Sequence, residues 1–287
     1  MTTILVTGAT GTIGSQVVKA LRGAPGVKVR AAVRSGERAS ELAGDNVTTV
    51  DFDFDRAESI AKAVDGVDKV FLVTPFVENP LVLGERLVDA AKKAGVKHIV
   101  KLSAFGCEHE PGIQLGRMHR AIEKKIEASG VAWTFLRANN FFENFFNYYG
   151  PDAQGNIYLP WGQASVSFIG AADIAAAAKV ALTGAGHEGK AYTLTGPAPL
   201  SVAEAAKVIG EISGRAITYV DVPEQAARKA MLDAHVPVWM TDGMLELHAI
   251  DKAGYAAVVT DDLAKLTGTK GKTFLEFARA NAAGWKT

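Results

Sequence analysis

Short apolar runs alternate with amphipathic stretches along the first half of the chain. Ile4-Leu5-Val6 reads as a buried strand, and Val17, Val18 and Leu21 follow at helical spacing, with Gly23 as a stop. The unit then recurs. Val27–Val33, Val47–Asp51, Lys69–Val73, Lys97–Leu102 and Ala132–Leu136 are further strand-like runs. Helices are predicted between them over 56–64, over 80–94 with Leu81, Leu87, Val88 and Ala91 inward, and over 115–129. Gly95 and Gly130 end the last two. Strand and helix alternating over about 136 residues predict an α/β fold with a Rossmann-type, doubly wound parallel sheet.

The second half is less regular. Tyr158–Trp161 and Ala164–Phe168 look like short strands, Asp173–Leu182 like an alanine-rich helix, and Ala191–Leu194 like a returning strand. Ser201 and Glu204 form a capping-box pattern ahead of a helix through Ser213. Ile217–Val220 reads as a strand, 223–234 and 238–249 as helices, and Thr273–Ala283 as a last helix with Phe274 and Phe277 inward.

The first predicted strand runs into Gly8, Gly11 and Gly14, in the order TGATGTIG, before the first helix. Strand, glycine turn and helix are the setting in which such a triplet grips a diphosphate. Gly8 permits a positive φ, Gly11 lets backbone approach a pyrophosphate, and Gly14 lets the helix pack closely against the strand. The N–H groups around Thr12 and Ile13, with Thr10 in the same turn, would face the phosphates. The spacing is GxxGxxG rather than the commoner GxGxxG. At the end of the second strand an acidic residue would favour NAD. This chain carries Arg34 there, with Ser35 and Arg38 nearby. A guanidinium pairs with a 2′-phosphate, so NADPH is expected; the plain alternative is a solvated loop charge.

Ligands of such sheets bind beyond the C-terminal strand ends, where Gly8, Arg34, Asp53, Thr74, Ser103 and Asn139 all fall. Thr74-Pro75-Phe76 follows the fourth strand, where the ribose and nicotinamide are expected, and Pro75 has no N–H to continue sheet pairing. Residues 1–150 are therefore expected to form the NADP(H)-binding domain, with returns near 164–195. Residues 151–287 are expected to form a smaller, interleaved C-terminal part that is mainly substrate-binding.

Composition narrows the class. The 287 residues carry 31 basic and 31 acidic side chains, which argues against a general nucleic-acid or anionic-membrane surface. No apolar run reaches the roughly 18 residues of a spanning helix, and the N-terminus lacks a basic signal-peptide head. The single cysteine, Cys107, has no internal disulfide partner. A cytoplasmic monomer or homodimer is expected. His98, His109, His187, His235 and His248 show no metal-ligand spacing, so no metal is expected. One phosphate cradle suits one dinucleotide, and no flavin is expected.

The segments VTGATGTIG, AAVRS, VKHIVKLSA and HRAIEKKIEASGVAWTFLRANNFFEN, with the turn Asp173-Ile174-Ala175, resemble the NmrA-like atypical short-chain dehydrogenase/reductase family along nearly the whole chain. The resemblance implies that Asp53 and Phe54 border the adenine; the plain alternative for Asp53 is a cap on helix 56–64. It also implies flavin-free, NADPH-dependent reduction of triphenylmethane dyes, azo dyes or quinones. The family equally contains members that bind the dinucleotide and regulate partners without chemistry, so a redox sensor is the alternative. A roomy aromatic cleft would favour the enzyme, and a closed pocket the sensor.

Ordinary members of the superfamily use Ser or Thr with Tyr-x-x-x-Lys. Helix 115–129 has no tyrosine, and the matching positions carry His119 and Glu123, four apart on one face. Glu123 is expected to accept from one imidazole nitrogen, leaving His119 as a proton donor that titrates near neutrality; the alternative is a pair that ties the helix to its neighbours. Ser103 is expected to hydrogen-bond the nicotinamide ribose or the substrate, or else to cap its strand. Phe76, Phe105, Phe141, Phe142 and Trp161 are expected to line an aromatic pocket beside His119, with Asn139 and Asn140 orienting a flat substrate. Without Tyr and Lys, carbonyl–alcohol chemistry is poorly supported. An electron-poor conjugated acceptor needs less help, because it takes hydride directly.

Overall fold

In the computed structural model, which describes residues 1–34, 42 and 44–285, the alternating first half builds one sheet. Its strands are β1 (Thr2–Val6), β2 (Val27–Val33), β3 (Val47–Asp51), β4 (Lys69–Leu72), β5 (His98–Ala104) and β6 (Ala132–Ala138). Helices α1 (Thr12–Leu21), α2 (Ala57–Val64), α3 (Pro80–Lys93) and α4 (Gln114–Ser129) cross between them. The chain then leaves the sheet through α5 (Asn144–Asn147), β7 (Asn156–Leu159) and β8 (Ser165–Val166), and α6 (Ala171–Thr183) returns it to β9 (Lys190–Leu194). The seven strands lie in the order β3-β2-β1-β4-β5-β6-β9, all neighbours parallel.

Both faces of this sheet are covered, which is why its strands read as unbroken apolar runs. Along β1, Ile4 and Val6 pack with Val17 and Val18 of α1 and Ala175 and Ala178 of α6. Leu5 faces the other way, with Ile60, Leu87, Val88, Ile122 and Ile126 of α2, α3 and α4. The order reverses at β1, whose neighbours are β2 and β4, and this places a crevice beyond the C-terminal ends of the central strands.

The remainder forms a third core rich in aromatics, among them Phe142, Phe145, Tyr149, Trp161, Phe168, Phe274 and Phe277. β10 (Leu200–Ser201) pairs with β8, and β11 (Thr218–Asp221) pairs with β7. α7 (Val202–Ser213) starts with the capping box, the Glu204 N–H donating to Ser201 Oγ at 3.2 Å and the Ser201 N–H to Glu204 Oε2 at 2.8 Å. α8 (Glu224–Asp233), α9 (Val238–Lys252), a 3-10 turn at Tyr255–Ala257, α10 (Asp262–Thr267) and α11 (Phe274–Ala280) complete the described chain with a 3-10 turn at Ala282–Trp285. The strand expected at Ala164–Phe168 shrinks to two residues, because Ser167 instead donates from its backbone to Ala256 O and from its hydroxyl to Ala257 O. The last helix stops at Ala280 rather than Ala283, and Asn281 leaves helical geometry.

Candidate active site

The glycine turn sits at the reversal point. Gly8 has φ +60°, and the Gly11 N–H donates to the Gly8 carbonyl at 2.9 Å. A Cβ on Gly14 would lie 2.0 Å from that same carbonyl oxygen, so the close approach needing glycine is to the turn itself rather than to the strand. α1 begins at Thr12 with no side-chain cap, and Thr10, Gly11 and Thr12 are exposed. Its first-turn N–H groups are thus presented outward. Thr7 Oγ1 ties the ends of β1 and β4 together, accepting from the Val73 N–H at 2.8 Å and donating to Val73 O at 2.9 Å.

Around this turn, Arg34 is exposed at the end of β2, while Ser35 and Arg38 lie outside the described residues. Thr74 and Pro75 are half-buried beyond β4. Asp53 is half-buried and accepts from the Asp55 N–H at 2.9 Å. It does not cap α2, whose N-cap is Arg56. Phe54 departs from its expected place at the adenine: its ring is buried, edge-on to Phe52 at 4.8 Å, where it fills core beneath the strand ends.

Beyond β5 and β6 opens a cavity of about 650 Å³. Phe76, Phe105, His119, Asn140 and Phe141 line it, together with Leu247, Ile250 and Asp251 of α9 and Tyr255 of the following turn. Phe76 is 49% exposed and meets Trp239 edge-on at 5.4 Å. Phe142 and Trp161 are not cavity walls. Phe142 packs on Phe274 at 5.4 Å and Phe277 at 5.2 Å, and Trp161 packs on Tyr149 at 5.4 Å, all within the aromatic core. Phe141 sits in a parallel bridge with Ile169, and extended backbone turns successive side chains to opposite sides, so Phe141 and Phe142 part company. Asn139 reaches the cavity wall, but its amide is engaged: Nδ2 donates to Ala256 O at 2.9 Å, and Oδ1 accepts from the Asn140 N–H at 2.8 Å.

Behind the cavity lies a charged cluster. Glu123 is fully buried and grasped by Arg137, whose Nε and Nη2 donate at 3.1 and 2.8 Å. Arg120 adds a contact at 3.0 Å and Ser103 Oγ donates at 2.7 Å. Burial pushes the Glu123 carboxyl up, but these hydrogen bonds and charges outweigh it and hold the group below the ordinary glutamate range. Glu123 therefore does not orient His119. One helical turn separates them, and Glu123 is taken by partners on β5 and β6. Ser103 likewise is buried behind the wall rather than facing the cavity, and Ala104 is the β5 residue that lines it.

The partner of His119 is Lys101. Lys101 Nζ donates to Leu102 O at 2.8 Å and to Ser103 Oγ at 3.3 Å, and it lies 3.0 Å from His119 Nδ1. Burial, aided by the Lys101 charge, pushes the His119 pKa down to about 3. It is neutral at pH 7 rather than poised near neutrality. Burial lowers Lys101 to about 8, with Glu123 and Cys107 opposing the shift. Burial and Glu123 push the Cys107 thiol up to about 11, which makes it a poor nucleophile.

The sequence profile of the NmrA-like family matches residues 1–278. The chain belongs to the NmrA-like family. It is 40% identical over 283 residues to the NAD(P)H azoreductase of Xenophilus azovorans, covering 98% of this chain and 99% of that protein. Its structure is similar to that of the Citrobacter sp. triphenylmethane reductase complexed with NADP(H), with a TM-score of 0.83, 30% identity and coverage of 98% and 100%. The Escherichia coli quinone oxidoreductase QOR2 complexed with NADPH gives a TM-score of 0.86, 28% identity and coverage of 97% and 99%.

In this NmrA-like chain, Lys101 and Arg137 are the site residues that periodicity alone passes over. A signal was present for Lys101. It stands mid-strand in the run His-Ile-Val-Lys-Leu, where both faces of a parallel strand are covered. A lysine there must find acceptors or lose its charge. Arg137 sits at the end of β6, opposite Ser103 in the register, which brings its guanidinium to Glu123.

Proposed function

We propose that this NmrA-like protein is an NADPH-dependent reductase that transfers hydride to a small aromatic or conjugated acceptor, such as an azo dye, a triphenylmethane dye or a quinone, without flavin. The observation that carries the reading is the roomy, largely apolar cavity beyond β5 and β6, with Phe76, Phe105, Phe141 and Tyr255 in its wall, beside a glycine cradle at the sheet's reversal point. The kinship with an azoreductase, a triphenylmethane reductase and a quinone oxidoreductase supports the same class of acceptor.

The residues present fit a dinucleotide. A Cβ at Gly14 would push the Gly8 carbonyl out of the turn that forms the cradle, and the start of α1 is uncapped and exposed. Gly8, Thr10, Gly11, Thr12, Ile13 and Gly14 would hold the diphosphate, with Arg34 at the 2′-phosphate and Thr74 and Pro75 toward the ribose. Bound NADPH supplies the hydride. The cavity walls orient the acceptor and exclude water, with Phe76, Phe105 and Phe141 offering ring faces and edges to a flat molecule. His119 reaches that wall from α4, and it supplies the proton where the acceptor needs one. Residues 151–287 supply the acceptor side through α9 and the turn at Tyr255. Among the described residues no helix is long and apolar enough to cross a membrane, and the cytoplasm is the compartment proposed. The sensor reading would call for a closed chamber, and the open volume here favours the enzyme.

The test is direct. Purified protein given NADPH and no flavin is expected to consume NADPH with at least one azo dye, triphenylmethane dye or quinone. No turnover with any member of such a panel would overturn the reading.

A further inference from the structure

We propose that Lys101 is the proton reservoir of the site: when the reduced acceptor takes a proton from His119 Nε2, the Lys101 ammonium restores one to Nδ1 of the same ring. The proposal rests on the reductase reading and adds to it a residue with no surface of its own in the cavity.

Hydrogen-bond directions carry it. Ser103 Oγ donates to Glu123 at 2.7 Å, so it must accept from Lys101. Leu102 O can only accept. Lys101 thus has acceptors for each of its N–H bonds: Leu102 O, Ser103 Oγ and His119 Nδ1. An ammonium has no lone pair, so Nδ1 accepts and the ring proton sits on Nε2. That nitrogen makes no hydrogen bond among the described residues, and the ring is part of the cavity wall. Lys101 itself is fully buried, and its route to the cavity runs through His119. The charged or titratable groups facing it are Glu123 and His119 from α4, Arg137 from β6 and Cys107 from the turn after β5. Glu123 is held as a carboxylate by Arg137 and so does not compete as the donor.

The balance is simple. Hydride leaves a quinone or an azo compound as an anion. That anion forms a bond to hydrogen as Nε2–H breaks, while Nδ1–H forms and one Nζ–H breaks. The ring stays neutral, and Lys101 ends as an amine. After product leaves, a solvent proton entering at Nε2 reverses the relay. A cationic triphenylmethane carbon, by contrast, is neutralised by hydride and takes no proton. The same protein thus offers one class of acceptor that needs the relay and one that does not.

The experiment compares the full-length protein with Lys101→Met and His119→Phe, using a quinone or azo dye against a cationic triphenylmethane dye. The ratio of kcat/KM for the proton-requiring acceptor to that for the cationic dye is expected to fall at least about tenfold in Lys101→Met, which leaves the ring in place, and about 10²-fold or more in His119→Phe, the usual scale for loss of a general acid. In wild type, the proton-requiring reaction is expected to decline above about pH 8, with no matching limb for the cationic dye. A readout independent of turnover is nitrogen NMR of the cofactor-free protein, in which His119 is expected to be neutral with its proton on Nε2 at pH 7. In Lys101→Met the Nδ1 resonance should move. An unchanged acceptor ratio, or a wild-type ring protonated on Nδ1, would overturn the relay while leaving the reductase intact. Wild type inactive toward both acceptor classes would overturn the reductase reading and the relay with it.

Discussion

Asp251 is fully buried in the cavity wall; among the described residues its Oδ1 has no hydrogen-bond partner, and Oδ2 accepts a long bond from Asn140 Nδ2 at 3.3 Å. Burial accordingly pushes its pKa up to about 7, with the Asn140 bond opposing the shift. Above that pH the folded chain carries a poorly partnered carboxylate, so Asp251→Asn is expected to raise stability at pH 8 by about 1–3 kcal/mol, the scale of an unsatisfied buried group. The gain should shrink at pH 5, where the carboxyl is already neutral; urea unfolding at the two pH values measures both. Arg34 makes the opposite case, a charge in solvent whose partner would be a ligand. Arg34→Ala is expected to weaken NADPH binding by about 1.5–3 kcal/mol and NADH binding much less. Titration with each nucleotide decides it, since equal losses would remove the 2′-phosphate assignment. Residue type and strand-end position were enough to bring Phe76, Phe105, Asn140 and Phe141 to one cavity, and the resemblance on helix 115–129 brought His119. They were not enough for Ser103, Phe54, Phe142 and Trp161. Whether a strand-end side chain turns toward the crevice or into the core depends on which neighbour claims it, and Glu123 claims Ser103 while Phe274 and Phe277 claim Phe142.

The parallel strands and their crossover helices were readable because a doubly covered strand has few options: each residue must be apolar or paired. α1 shows how much one turn can depend on one atom. Substituting Gly14→Ala would place Cβ against the Gly8 carbonyl carbon at 2.6 Å and its oxygen at 2.0 Å, and backbone in a tight turn has no slack to yield. The expected cost is about 1–3 kcal/mol of stability, the scale of overpacking, together with a loss of NADPH affinity of at least tenfold, because the turn that presents the α1 amides is displaced. Thermal unfolding and nucleotide titration on the same sample check both. A variant that unfolds earlier but binds NADPH normally would show that the cradle is not where the nucleotide sits. Elements of the second half were harder to read for a physical reason. α9 packs Gly243 closely on Leu115 of α4, lines the cavity with Leu247 and Ile250, and buries His248 beside Trp161 and Tyr149. The helix itself is read to within three residues of its end, but with partners on several sides it has no single apolar stripe to tell which of its residues meet the cavity. β10 is too short for an alternation to register, and β8 keeps only two of the five residues read as strand at Ala164–Phe168.

Summed over the molecule, buried imidazoles set the response to acid. Burial lowers His98 and His248 to about 4, and burial with the Lys101 charge lowers His119 to about 3, each from an ordinary 6.5. A group whose folded pKa lies below its unfolded value binds more protons when unfolded, so its contribution to stability is intact above about pH 6.5 and is lost as the pH falls. Asp251 acts in the other direction, because its raised pKa favours the folded state as pH falls from about 7 toward the ordinary aspartate range. Glu143 and Asp173, also raised by burial, act with Asp251, while carboxyls held low by their partners, Glu123 among them, act with the three imidazoles, and the balance is a net loss on the acid side. Stability is therefore expected to fall by about 2 kcal/mol or more between pH 7 and pH 5, after discounting His119 for its contact with the cavity. His248 offers the cleanest test, since among the described residues neither ring nitrogen has a hydrogen-bond partner and its neighbours Trp161 and Tyr149 are aromatic. His248→Phe should leave stability at pH 7 within about 1 kcal/mol, as a near-isosteric swap in an aromatic setting, and should make the decline toward pH 5 shallower. The measurement is the urea midpoint of both proteins across that range. Parallel pH curves for the two would show that His248 is protonated as readily in the folded chain as in the unfolded one, and the origin of the acid sensitivity would then have to lie with His98 and His119.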